Sequence, residues 1–182
     1  MTDFEPMRDF FHPRQAKILT DRSAGVRLVT VREEAIRDCF AFPGTEYDAG
    51  IEIDGQHVGR ISYGINPLND RVYIYELKIE RQHQLTGTGI SVLWLLWCKY
   101  QIPLVPMSEF GTSKRFWSKA RERLAAAGSE LKYEIRSCEQ SEEQQRWKHL
   151  IPETPHERRI RDMKASPEWP EIEAGFKARQ RL

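Results

Sequence analysis

Three β-rich runs in the first half of the chain are joined by turns too short for a crossover, and this constrains the fold more than any other feature. Gly50-Ile51-Glu52-Ile53 reads as a short strand, and Asp54-Gly55 is a strong hairpin signal. His57 to Ile65 is the returning strand, Asn66-Pro67-Leu68-Asn69-Asp70 a turn, and Arg71 to Glu80 a longer strand rich in Val, Ile and Tyr. Antiparallel neighbours need only such turns, whereas parallel neighbours need a crossover of a dozen residues or more. A doubly wound sheet is excluded.

The flanks complete an alternation of strands and helices. Val26 to Val31 alternates apolar and polar, as a half-buried strand does, and Arg32 to Phe40 carries good helix formers up to Phe42-Pro43-Gly44. Ile90 to Tyr100 is apolar almost all round, which places it in a core. Pro103 to Met107 reads as a short strand, Thr112 to Ala127 as a helix stopped by Gly128, and Leu131 to Arg136 as a final strand. The expected fold is α/β in the α+β sense: a mixed, mostly antiparallel central sheet with helices on both faces. Residues 1–24, broken by Pro6 and Pro13, are expected as an irregular arm, 25–137 as the domain, and 138–182 as a charged appendage. Short helices are expected there at Glu142–Leu150, Glu157–Lys164 and Glu171–Leu182.

Composition excludes several classes of function. A formal net charge of +1 gives no global pull toward nucleic acid or membrane, so any basic surface is local. Cys39, Cys98 and Cys138 form no CxxC pair, which removes a zinc ribbon or redox motif, and their odd number suits a reducing compartment. No metal set is expected. The N-terminal stretch lacks the apolar core of a signal peptide, and the most apolar run, Ile90 to Trp97, is too short to span a bilayer. A cytoplasmic protein with no membrane partner is expected.

The segment Gln84-Leu85-Thr86-Gly87-Thr88-Gly89 lies between the longer strand and the buried helix. Glycines there let backbone approach a ligand closely. A helix N-terminus presents unpaired N–H groups and partial positive charge, and so attracts phosphate or pyrophosphate. The amides of Leu85 through Ile90 are the expected donors. The plainer reading is a turn that merely lets strand and helix pack. A Walker loop is excluded because no Gly-Lys-Ser/Thr follows, and a dinucleotide fingerprint is excluded by the spacing and the meander upstream.

This segment resembles motif A of the GCN5-related N-acetyltransferase (GNAT) superfamily, an apolar strand followed by Gln/Arg-x-x-Gly-x-Gly/Ala opening a helix. Leu77-Lys78-Ile79 stands at the apolar triplet, and Gln84, Gly87 and Gly89 fill the signature positions. Downstream, Ser113-Lys114-Arg115-Phe116-Trp117-Ser118-Lys119 resembles the family's Ala-x-x-Phe-Tyr-x-Lys stretch, and the order of elements from Val26 to Arg136 fits. The resemblance implies acyl-CoA, with acetyl-CoA as co-substrate, held between splayed fourth and fifth strands. It implies Leu77, Lys78, Ile79, Gln84, Leu85, Thr86, Gly87, Thr88, Gly89, Ile90 and Phe116 as its contacts. It further implies direct attack on the thioester by an amine-bearing acceptor, with no covalent enzyme intermediate. Trp117 stands where the family often has a tyrosine that protonates the departing thiolate, and indole cannot fill that role.

Such chemistry needs a base for the amine proton. Glu76 is the first candidate, against the plainer reading of a solvated strand residue. Tyr75 is placed on the opposite strand face unless a bulge intervenes, and Ser108, beside Glu109 near the end of the fifth strand, is a candidate for the missing acid. His57 titrates in a useful range but follows a hairpin turn, which places it at the surface. Arg115 and Lys119, one turn apart, are candidates for the 3′-phosphate of CoA, against a plain basic face. Two alternatives stay open: a non-catalytic binding module on the same fold, and an acyltransferase-like enzyme modifying nucleic acid, supported only by the basic helix Thr112–Ala127. The interleaved charges of the tail suggest a partner or homodimer contact.

Overall fold

The structure is a computed structural model, which describes residues 6–179, with side chains over 12–175. Five strands form one sheet in the order β1 (Val26–Glu34), β2 (Thr45–Ile53), β3 (Gln56–Ile65), β4 (Val72–Ile79) and β5 (Leu104–Pro106). The first four are antiparallel neighbours, and β5 joins β4 in parallel. The mixed sheet expected from the short turns is present. Asp54 and Gly55 both take positive φ, as the hairpin requires.

Two helices lie between and beyond the last strands: α2 (Thr88–Tyr100) crosses from β4 to β5, and α3 (Lys114–Ala126) follows β5. Eight of the thirteen residues of α2 are buried, so the apolar run sits in the core as its composition requires. Trp117, Ala120 and Leu124 form the buried stripe of α3. These helices cover one sheet face, together with Val26, Ile51, Ile61, Val72 and Ile74 from the strands.

Residues 6–23, read as an irregular arm, form α1 (Pro6–Ser23), with Pro13 inside it. Leu19 is buried in the main core, and the Trp94 indole N–H donates to Thr20 Oγ1 at 3.1 Å. Nothing in the spacing of α1 marks an apolar stripe, so packing on α2 and α3 rather than local pattern stabilises it. Residues 1–5 lie outside the described residues.

The opposite face is covered by residues 35–44 and by α4 (Ser137–Gln145) with the turn after it. Helix formers at 32–40 had suggested a helix. Instead β1 continues to Glu34, opposite Glu46 of β2, and turns follow, because pairing with β2 outweighs weak propensity. Ala41, Tyr73, Val105 and Trp147 make a small second core there. Trp147 is fully buried and its indole donates to the Phe42 carbonyl at 2.9 Å, while Gln144 Nε2 donates to the Phe40 carbonyl at 3.0 Å. The compact unit accordingly runs through Leu150, beyond the boundary at 137 read from composition.

The expected strand at Leu131–Arg136 is reduced to one parallel bridge between Leu104 and Leu131. Lys132 N and Ile135 N still donate to the Leu104 and Pro106 carbonyls, at 2.8 and 3.1 Å. Pro106 has no N–H to return a bond, which limits the ladder.

Residues 151–182 form a second unit. Within it α5 (Pro155–Lys164) begins with a capping box, in which Glu157 N donates to Thr154 Oγ1 at 3.0 Å and Thr154 N to Glu157 Oε2 at 2.7 Å. The last helix, α6, runs from Trp169 to Arg179, so the expected Glu171–Leu182 helix starts earlier and its final three residues lie outside the described ones.

Candidate active site

The β4 and β5 strands separate after three paired residues. Val72 faces Leu104, Tyr73 faces Val105, Ile74 faces Pro106, and Met107 N makes the last bond, to the Ile74 carbonyl at 2.9 Å. Beyond that point β5 has ended and β4 continues for five residues with its outer edge unpaired. On its inner side the Glu80 amide donates to Val58 of β3 at 2.9 Å. By the alternation of an antiparallel ladder, Leu77 and Ile79 then turn their amides and carbonyls outward, toward the gap.

The gap leads to the glycine turn. Leu85 and Gly87 both take positive φ, and Gly87 opens α2 at φ 95°. The turn is braced from inside: Gln84 Nε2 donates to the Ile79 carbonyl at 2.9 Å, Thr86 Oγ1 to the His83 carbonyl at 2.8 Å, and Thr86 and Thr88 hydroxyls bond each other. The amides of Leu85, Thr86, Gly87, Thr88 and Gly89 donate to no other described residue. Ile90 differs from the expectation, because its amide donates to the Gly87 carbonyl at 3.0 Å and is not available. Gly89 is needed for another reason: a Cβ there would lie 2.8 Å from the Phe116 ring, which packs on the turn from α3.

A groove of about 730 Å³ runs from Leu77 and Ile79 past this turn to Arg115, Phe116 and Lys119. No carboxylate lines it, and none of its cations Arg22, Arg115, Lys119 and Arg123 has an acidic partner among the described residues. Cations without acidic partners beside five amides that bond no other described residue make an arrangement suited to an anion. The fold is a mixed α+β sheet whose glycine turn opens α2 at the splayed edge of β4.

Two solved structures are similar to the chain. One is a protein assigned to the GNAT-family acetyltransferases from Desulfovibrio desulfuricans, 14% identical over 65% of this chain and 80% of that one, with a TM-score of 0.36. The other is a ribosomal-protein-alanine N-acetyltransferase from Brucella melitensis biovar Abortus 2308, 11% identical over 60% of this chain and 66% of that one, with a TM-score of 0.27. No family model and no curated protein sequence matches the chain.

Of the residues expected as donor contacts, Lys78 alone does not line the groove. Leu77, Ile79, Gln84 to Ile90 and Phe116 line the groove, whereas Lys78 is exposed and lies opposite Arg60 of β3 in the strand register. The catalytic candidates are rearranged. Glu76 is held by Arg60 at 2.8 and 3.1 Å, and that pairing keeps its carboxyl below the ordinary value. An exposed, ion-paired carboxylate of lowered basicity makes a poor proton acceptor. Glu109 is ion-paired with Arg121 and its amide donates to Glu134 Oε2 at 2.5 Å, so it is structural. Trp117 is buried in the main core, and Ser108 is half-buried without a hydrogen bond to a described residue. His57 is exposed, as expected.

A β-bulge reorganises β4 where the strands part. Ser62 faces Glu76 and Tyr63 faces Ile74, leaving Tyr75 as the extra residue. Tyr73 and Tyr75 therefore point to the α4 face, while Leu77 and Ile79 return to the α2 face. Tyr75 Oη donates to Glu46 Oε1 at 2.9 Å, and the Ala41 amide donates to the same oxygen at 3.3 Å. Glu46 is 3% exposed, and burial raises its carboxyl above the ordinary value against those two hydrogen bonds and the charge of Arg32. Burial likewise pushes the Tyr75 phenol up, with Glu46 adding to it. Gly64 makes room for the pair, since a Cβ there would lie 2.3 Å from Tyr75 Oη and 2.7 Å from Glu46 Oε2. Glu46 was invisible in sequence, as one carboxylate in an alternating strand. The signal, legible only in hindsight, is a glycine opposite it in a strand otherwise rich in β-formers.

Proposed function

We propose that the chain is an acyl-CoA-dependent N-acyltransferase that moves an acyl group, taken to be acetyl, onto an amine. The single observation that carries this reading is the groove: an unpaired β4 edge leading to five unbonded amides, lined by cations and by no carboxylate among the described residues. Those amides fit a pyrophosphate, and the outward groups of Leu77 and Ile79 fit the amides of a pantetheine arm. When bound, the donor supplies a thioester carbonyl. The chain's own residues position it, with Phe116 and Leu77 as the apolar walls.

The acceptor amine attacks that carbonyl directly, so the C–N bond forms as the C–S bond breaks and the thiolate leaves with its electron pair. Tyr75 and Glu46 are the proposed proton acceptors, in place of Glu76. Tyr75 directly follows Ile74, the last β4 residue paired with β5, and its hydroxyl donates to Glu46 of β2. Tyr75 takes the amine proton as it passes its own to Glu46 Oε1, and a carboxylate made more basic by burial suits that role. The acceptor class, the cytoplasmic location and any homodimer belong to the proposal as well. No described helix is long and apolar enough to cross a membrane.

A second reading has one observation in its favour. Trp117 is buried where the family often has its tyrosine acid, which suits a fold that binds the donor without turning it over. Thiol release from acetyl-CoA with a panel of primary amines separates the two. Release that depends on amine and on Glu46 supports transfer, whereas binding of acetyl-CoA with no release under any amine leaves only the binding module.

A further inference from the structure

The charge of the molecule is unevenly spread. The whole chain is at +1, with 28 cations and 27 carboxylates. Residues 12–23 of α1 and the whole of α3 together hold eight of those cations but only two of the carboxylates, Asp21 and Glu122. The rest of the chain keeps 20 cations and 25 carboxylates, and so stands at −5.

The two helices pack on each other, and a Cβ on Gly128, just past α3, would lie 3.1 Å from His12 Nδ1 of α1. Of the eight cations Arg121 alone is ion-paired, to Glu109. Arg14, Lys17 and Arg22 of α1, with Lys114, Arg115, Lys119 and Arg123 of α3, are exposed and have no acidic partner among the described residues. Four of the seven also wall the groove, but Arg14, Lys17 and Lys114 do not, so a donor held there leaves their charge unanswered. Like charges gathered on one flank repel each other, and a polyanion relieves that cost. Arg115, Lys119 and Arg123 recur every four residues, about 6 Å apart along the helix axis, a row that suits regularly spaced phosphates. A lipid surface fits less well, because a helix lying on it needs an apolar stripe. Ile18 is the one large hydrophobic side chain exposed on α1 or α3 among the described residues.

We propose that the exposed flank of α1 and α3 is a nucleic-acid docking surface, which holds a phosphate backbone through Arg14, Lys17, Lys114 and the cations of the groove wall. Contacts of this kind fix position and carry no sequence information, so many sequences should bind. The inference goes beyond the acyl-CoA reading and does not depend on it, since three of its cations stand outside the groove.

Fluorescence anisotropy of a labelled RNA hairpin, titrated with the full chain at several salt concentrations, tests the surface. Log affinity should fall with log salt at a slope of about −4 to −6, as about five to seven phosphate contacts give. The combined variant Arg14→Gln, Lys17→Gln, Lys114→Gln should reduce that slope by about 2 to 3 and weaken binding about tenfold or more at low salt. An unchanged urea unfolding curve shows that this variant is folded. Arg158→Gln with Arg159→Gln, which removes two exposed charges from α5, should leave slope and affinity as they were. No binding at low salt, a slope that the triple variant leaves unchanged, or an equal loss in the α5 variant overturns the surface. Tighter binding to polyglutamate, or to vesicles of phosphatidylserine and phosphatidylcholine, than to the hairpin assigns the flank to an acidic protein or a membrane, which also overturns it. Each of these failures leaves the acyl-CoA reading standing, because none of the substituted residues lines the groove.

Discussion

The two faces of the sheet treat polar groups in opposite ways. On the α2 face, five amides and four cations stand around a groove, with their electrostatics unanswered by the described residues. On the α4 face, polar groups are enclosed and answer each other. Glu143 accepts from Tyr73 at 2.6 Å and is paired with Arg71 and Arg146, and Arg146 also pairs with Asp70, which Asn66 holds at 2.7 Å. A satisfied network fixes structure, whereas an unsatisfied, solvent-open one is poised for a ligand.

Glu46 is the exception on the closed face, and comparison with Glu143 shows why. Burial acts to raise both carboxyls. For Glu143 the Tyr73 and Arg146 hydrogen bonds and the charge of Arg71 outweigh it, and the net shift is downward. For Glu46 the neutral donors Tyr75 and Ala41 do not, and the net shift is upward. One carboxylate is tied into an ion-paired network, and the other is buried with neutral hydrogen-bond donors.

Four changes sharpen or break this division, in order of expected size. Trp147→Ala removes the anchor of the 137–150 segment and should cost about 3–5 kcal/mol of stability in a urea unfolding curve. If the closed face is purely structural, affinity for desulfo-CoA changes by less than about twofold while the protein stays folded. Glu46→Gln should lower kcat by about a hundredfold or more with donor affinity unchanged. It should also abolish the acid limb of the wild-type rate profile, which arises because the active form is the ionised one and lies above the ordinary carboxylate range because burial raises the Glu46 carboxyl. Stability gives an independent readout. With a folded value raised above the unfolded one, the contribution of Glu46 is complete at low pH and is lost as pH rises through the folded value. The wild type's stability margin over Glu46→Gln should therefore narrow as pH rises.

The third change tests the open face. Gly87→Ala places a side chain at φ 95° and should cost about 1–2 kcal/mol of stability. By moving the turn amides it should also weaken desulfo-CoA about tenfold, read by calorimetry. The smallest effect belongs to Asp70 and Glu143. Burial opposes ionisation of Asp70, but Asn66 and Arg146 prevail and lower its carboxyl. Stability from both groups is present above their unfolded values and fades as pH falls through the folded ones. An acid titration of the wild type should show a shallow loss there that Arg146→Gln removes.

What was legible in sequence follows the same division. The hairpin at Asp54-Gly55, the buried α2 and the glycine turn are local signals, each fixed by a few adjacent residues, and they place the groove. The closed face depends on contacts far apart in sequence. Trp147 lies in a charged, Gln-rich stretch and gains its meaning only from the Phe42 carbonyl more than a hundred residues earlier. The bulge that singles out Tyr75 is a register event between β3 and β4, and the candidate Glu76 assumed a regular strand. At 32–40 the helix formers were read correctly as residues and wrongly as structure, because β2 offered Glu33 and Glu34 a ladder.

The central claim is that amides Leu85 to Gly89 hold linked phosphates. Titrating isotope-labelled protein with desulfo-CoA, while following backbone amide resonances, addresses it directly. The account expects those five amides to shift together and saturate, with Ile90 and the α4 network little changed. Resonances of the turn that stay in place at millimolar ligand, or shifts confined to the α4 face, contradict it.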